Sequence, residues 1–148
     1  MNSLRNHSKQ MPHEYHQDFK QHELIGELSL SWVFAVKTLQ YPWLILVPKR
    51  ASVWELFDLS TEDQIILWNE IHLLSKALKS EFKTDHINIG SIGNVTQVLH
   101  IHIVGRFFKD PIWPKPVWGA SLEGLEDYEG FKNYVQKFKK MLLESEIG

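Results

Sequence analysis

Apolar residues are arranged in two ways along this chain, and the two patterns divide it into candidate strands and candidate helices. Leu28 to Val36 and Trp43 to Val47 are rich in β-branched and aromatic residues, with Gln40-Tyr41-Pro42 between them, which predicts two antiparallel strands joined by a short turn. Pro48-Lys49-Arg50 ends the second. His86-Ile87-Asn88-Ile89-Gly90 alternates polar and apolar, and so does Gln97 to Arg106. In a strand the side-chain period is two, so Val98, His100, His102, Val104 and Arg106 share one face while Leu99, Ile101 and Ile103 share the other. The turn composition of Ser91-Ile92-Gly93-Asn94 predicts a hairpin between these two segments. A turn centred near Asn94 sets Asn88 roughly opposite His100 on the same face, a register that one slipped residue reverses.

The helical pattern occurs twice. Ser60-Thr61-Glu62-Asp63 resembles a capping box, and Leu67, Ile71, Leu74, Leu78 and Phe82 follow at spacings of three and four, which predicts an amphipathic helix of about twenty residues. His72 falls beside this stripe as a boundary residue. Phe131, Val135, Phe138 and Leu142, widened by Tyr128, Tyr134 and Met141, predict a C-terminal helix that packs on the sheet. Between Phe107 and Gly119, Pro111, Pro114 and Pro116 exclude a central strand or a helix interior.

With 148 residues, 43% of them hydrophobic, one domain with a substantial core is expected without metal or disulfide staples. Residues 1–20 are polar, with His7, His13, His16 and nearby His22 in no sustained spacing; they are read as an N-terminal arm, and 21–148 as a single domain. No cysteine is present, so disulfides, thiolate sites and a cysteine nucleophile are excluded. No run resembles a signal peptide or approaches the roughly 20 apolar residues of a membrane helix, so a cytoplasmic protein without a membrane partner is expected. A net charge of −2 gives no global basic field for nucleic acid. Lys49, Arg50, Arg106 and Lys109 are candidates for a local anion patch.

Three readings of His100 and His102 are open on the residues alone. As core, two imidazoles need partners for four ring nitrogens, a demand that valines do not make. As metal ligands, they lack an evident third: Asn88 is a poor zinc ligand, Asp110 lies in the proline-rich loop, and His86 depends on register. As nucleophile, a neutral imidazole attacks an α-phosphate when its other nitrogen donates to a fixed acceptor such as a backbone carbonyl. Asn88, Asn94, Thr96 and Gln97 are suitable donors to phosphate around such a centre.

His100-Ile101-His102-Ile103-Val104 resembles the latter part of the alternating motif of the histidine triad (HIT) superfamily. Pro42-Trp43-Leu44-Ile45-Leu46-Val47-Pro48-Lys49-Arg50 resembles the family's strand ending in a Pro-Lys/Arg turn, and the next helix occupies the expected place. Gly93-Asn94-Val95 and Trp113-Pro114-Lys115-Pro116-Val117-Trp118-Gly119 are similar to a bacterial HIT-like, or diadenosine-polyphosphate-hydrolase-like, subgroup. The resemblance implies an α+β fold: an antiparallel sheet of about five strands with a long helix and a C-terminal helix, commonly paired as a homodimer. It implies a nucleotide hydrolase or nucleotidyl transferase acting on dinucleoside polyphosphates or nucleoside phosphoramidates, with His100 as nucleophile, His102 as the last triad histidine and Asn88 near a supporting amide. No cofactor or metal is implied for the covalent step. A metal-dependent hydrolase and a catalytically weak nucleotide-binding module are the alternatives. The chain departs from the family pattern at Val98, where the first triad histidine falls, near Thr38, where a ribose-binding acid falls, and at Trp43, where many members are polar. Trp113 and Trp118 are read as packing residues or as a surface on which a base stacks.

Overall fold

A computed structural model describes residues 14–38, 41–120 and 128–147. Five strands form one antiparallel sheet: β1 (Glu23–Glu27), β2 (Ser31–Ala35), β3 (Trp43–Pro48), β4 (His86–Gly90) and β5 (Ile101–Arg106), in the order β1-β2-β3-β5-β4. Helices α1 (Thr61–Phe82) and α2 (Tyr128–Ile147) complete an α+β fold. The Ser60 hydroxyl accepts from the Asp63 amide at 3.1 Å, so α1 begins where the cap pattern predicts, and Lys83 in the left-handed conformation ends it.

Each face of the sheet has its own core. Val33, Ala35, Leu44, Leu46, Leu99, Ile101 and Ile103 meet the apolar stripes of α1 (Leu67, Ile71, Leu74, Leu78) and α2 (Phe131, Val135, Phe138, Leu142). Glu70 of α1 accepts from the Leu30 amide at 2.7 Å, tying the helix to the β1–β2 turn. On the opposite face, Trp32, Phe34, Trp43, Ile45, Val47 and Val104 form a second cluster, which among the described residues neither α1 nor α2 covers. It is closed instead by Phe19, Tyr41 and Val117 from connecting segments. This second face carries His100 and His102.

Two expectations are corrected. The histidine strand starts at Ile101, and residues 91–99 form an irregular connection in place of a tight hairpin. Its register is displaced as a result: Asn88 pairs with Val104, and Gly90 with His102. The displacement is even, so Asn88 keeps the predicted face. A further strand, β1, was not marked by the sequence pattern; its pairing with β2 shifts between Leu24 and Gly26, and this bulge breaks the alternation. The described part of the stretch read as an arm, residues 14–20, leads into a 3-10 turn (Gln17–Gln21) whose Phe19 is buried. His7, His13 and Gln40 lie outside the described residues.

Gly105 sets the spacing of β3 and β5. Its amide donates to the Pro42 carbonyl at 2.8 Å, and a Cβ there would lie 2.5 Å from a Thr84 methyl and 2.6 Å from the Pro42 ring. That close approach brings the start of β3, and with it Trp43, against the histidine strand.

Candidate active site

The Leu99 amide donates to the Val53 carbonyl at 2.9 Å, anchoring the connection just before His100. The His100 Nδ1 lies 2.7 Å from the Val98 carbonyl oxygen. A carbonyl only accepts, so Nδ1 carries the hydrogen and Nε2 keeps its lone pair. His102 has the reverse arrangement. The Trp43 indole N–H donates to its Nδ1 at 3.0 Å, which leaves the hydrogen of the neutral ring on Nε2. The ring centroids are 5.1 Å apart, with one residue 8% and the other 9% exposed. A nitrogen that keeps its lone pair and a nitrogen that carries a hydrogen therefore belong to neighbouring rings.

Aromatic rings enclose the pair. Phe19 lies edge-on to His100 at 5.2 Å, and Trp43 and Trp118 each lie 5.7 Å from His102. Gly90, opposite His102 on β4, is where the Trp118 ring fits: a Cβ there would lie 3.0 Å from it. His22, which closes the turn carrying Phe19, is the third imidazole of the neighbourhood. Burial, then the nearby His100 and Lys37, hold its pKa down at about 4. Burial, then His100 and His22, hold His102 down at about 3. Both are neutral at pH 7.

The other sequence-derived candidates are dispersed. Asn88 uses its side-chain carbonyl to accept from Arg106 at 3.0 Å. Thr96 donates to Asp18 at 2.8 Å, latching the connection to the N-terminal turn. Asn94 and Gln97 are exposed on the connection, and Gln97 lines a cleft of about 270 Å³ with Trp32, Lys49, Arg50 and Val98. The anion patch does not form as expected. Arg106 is 1% exposed, holds Asp110 through two hydrogen bonds of 2.8 and 3.1 Å, and lies against Tyr41 and Trp113. Arg50 is paired with Asp63, and Lys49 with Glu27 and the Leu28 carbonyl. Burial raises the Asp110 carboxyl, but Arg106 and the Phe107 and Ile112 amides outweigh it and lower its pKa. Asp110 is thus committed to Arg106, and among the described residues no three His, Asp or Glu side chains converge as a metal site would require.

Sequence reasoning missed Phe19, His22 and the hydrogen-bonding role of Trp43. The first two sit in a turn with no periodicity. Trp43 stands out in sequence only as a departure from a polar family position, and its N–H finds a partner through the pairing of β3 with β5.

A pH dependence follows from these histidines. In the unfolded chain an imidazole titrates near 6.5, and in the folded chain His102 and His22 resist protonation. As the pH falls below about 6.5 the unfolded state takes up the extra protons. Their contribution to stability is therefore complete above that value and is lost on the way to about pH 3 to 4. Thermal denaturation across pH 4 to 8 should show a falling Tm toward acid. His102→Gln, which still accepts from Trp43 but cannot charge, should flatten that fall.

Comparison with known proteins agrees with this geometry. The HIT domain family matches residues 18–109. Among solved structures, a histidine triad protein from Bradyrhizobium japonicum is 37% identical, with 86% of this chain and 96% of that one covered and a TM-score of 0.81. One from Sinorhizobium meliloti is 33% identical, covering 86% and 95%, with a TM-score of 0.79. One from Marinobacter aquaeolei is 30% identical, covering 88% and 96%, with a TM-score of 0.82. No curated protein matches. The sheet, the paired imidazoles and these similarities lead to one conclusion: the chain belongs to the HIT domain family.

Proposed function

We propose that this protein is a nucleotide hydrolase or nucleotidyl transferase that attacks the α-phosphate of a dinucleoside polyphosphate or nucleoside phosphoramidate, forming a covalent nucleotidyl-histidine at His100. One observation carries the reading: the 2.7 Å hydrogen bond from His100 Nδ1 to the Val98 carbonyl. It directs the lone pair to Nε2 and stabilises the positive charge that the ring acquires when that nitrogen bonds to phosphorus. Val98, at the position of the first triad histidine, thus supports the nucleophile through its backbone. His102 holds a phosphate oxygen through Nε2–H. Asn94 and Gln97, exposed on the connection, are assigned to the remaining oxygens as donors, while Asn88 and Thr96 act by holding Arg106 and Asp18. Trp118 and Phe19 supply apolar walls beside the reacting rings. A cytoplasmic setting and kinship with the diadenosine-polyphosphate-hydrolase-like subgroup go with this reading.

A symmetric homodimer is part of the same proposal. β4 is an edge strand with Ile89 exposed, and α1 exposes Ile65 and Trp68, one 59% and the other 57%. Exposed apolar groups on the last strand of the sheet and on α1 suit a two-fold interface.

Replacing His100 with Ala should lower kcat for diadenosine tetraphosphate by roughly a thousandfold or more while leaving the thermal transition cooperative. Unchanged turnover would remove His100 from the chemistry. Trp68→Glu should convert the dimer to a monomer in sedimentation equilibrium, and a wild-type protein that sediments as a monomer contradicts the interface.

A further inference from the structure

The hydrogen bond from Trp43 does more than orient a ring. An indole N–H donates and cannot accept, so the lone pair of His102 Nδ1 must remain in place for the 3.0 Å contact to exist. Protonating that nitrogen sets two N–H groups against each other. Trp43 is 7% and His102 9% exposed, so water cannot readily replace the lost bond. The surroundings oppose a charged ring as well. On the connection and the N-terminal turn, His100 and His22 each disfavour a second cation, and Lys37 acts on His22 in the same sense. Gly90 on β4 brings no side chain, Trp118 is uncharged, and farther along β5 Arg106 is matched by Asp110.

We infer that Trp43 locks His102 as a neutral Nε2–H donor and so makes the site selective for phosphoric anhydrides over phosphoramidates, an inference that rests on His100 as the nucleophile. The bond changes explain why. The His100 Nε2 pair forms a bond to the α-phosphorus while the bond from phosphorus to the leaving group breaks. With an anhydride, the electron pair departs on an oxygen of the leaving phosphate, which is stable as an anion and needs only the His102 hydrogen bond. With a phosphoramidate, the pair departs on nitrogen, which must gain a proton to leave as an amine. His102 is unable to supply it. Giving up the Nε2 hydrogen would leave an imidazolate, because Trp43 keeps Nδ1 from accepting another proton. In the second half-reaction water attacks phosphorus, the pair returns to His100 Nε2, one proton passes to solvent and a nucleoside monophosphate is released. Trp43 is in this sense a positioning residue that determines specificity through His102.

The test compares diadenosine tetraphosphate with adenosine 5′-phosphoramidate in wild type and in Trp43→Phe, which keeps an aromatic ring but removes the N–H. In wild type, kcat/KM should favour the anhydride by roughly a hundredfold or more. In the variant the preference should shrink at least tenfold, with the gain in phosphoramidate turnover appearing toward acid pH, because burial, His100 and His22 still oppose the charged ring. Equal rates on the two substrates in wild type, or an unchanged preference in the variant, would overturn the inference. Nitrogen-detected NMR of His102 gives a readout independent of turnover and also reports whether Trp43→Phe is folded. Nδ1 should lack hydrogen in wild type across about pH 5 to 8, and should carry it in part of the population once Trp43→Phe removes the donor. A hydrogen on Nδ1 in wild type defeats the inference yet leaves His100 as nucleophile, whereas an active His100→Ala protein defeats both.

Discussion

Two hydrogen bonds decide what this protein's histidines can do. One runs from His100 Nδ1 to the Val98 carbonyl, the other from the Trp43 indole to His102 Nδ1. They assign opposite tautomers to two rings whose centroids are 5.1 Å apart. Without them, two buried imidazoles would exchange protons with each other and with solvent, and neither Nε2 would have a fixed role. For the proposed attack on phosphorus, a lone pair on one and a hydrogen on the other are preorganised, since neither ring needs to rearrange at the moment of reaction.

The fold can be understood as the means of holding those bonds. β3 and β5 pair so that Ile45 faces His102 and Trp43 faces Val104, which puts the indole diagonally across from the imidazole it contacts. At the end of β5, the buried Arg106 gathers Asp110, Asn88, Tyr41 and Trp113 around it. That cluster fixes the start of the proline-rich loop, which returns with Trp118 against His102. A charge this deeply buried is tolerated because it is paired and hydrogen-bonded. From the other side, the Asp18–Thr96 bond and Phe19 bring the N-terminal turn against His100.

Features that depend on local periodicity were legible in the sequence. The Ser60 cap and the stripe from Leu67 to Phe82 specify α1, and the alternation from Val98 to Arg106 separates the two faces of the histidine strand. The even displacement that moved Asn88 from His100 to Val104 preserved its face but changed its partner. Its amide serves Arg106 as a result. Features that depend on contacts between distant segments were not legible. The bulge between Leu24 and Gly26 hid β1, the turn holding Phe19 and His22 has no repeat, and four cations that look available in sequence include three committed to carboxylates. Trp43 shows the limit most clearly, because its bulk predicts packing whereas its N–H sets the tautomer of a residue 59 positions away.

Covalent catalysis at His100 is the central claim, and rapid-quench trapping with α-labelled diadenosine tetraphosphate tests it most directly. Label should appear on the protein within the first turnover, should disappear as product accumulates, and should map by mass spectrometry to the peptide containing His100. Turnover with no label on the protein, or with label on another residue, would contradict the account.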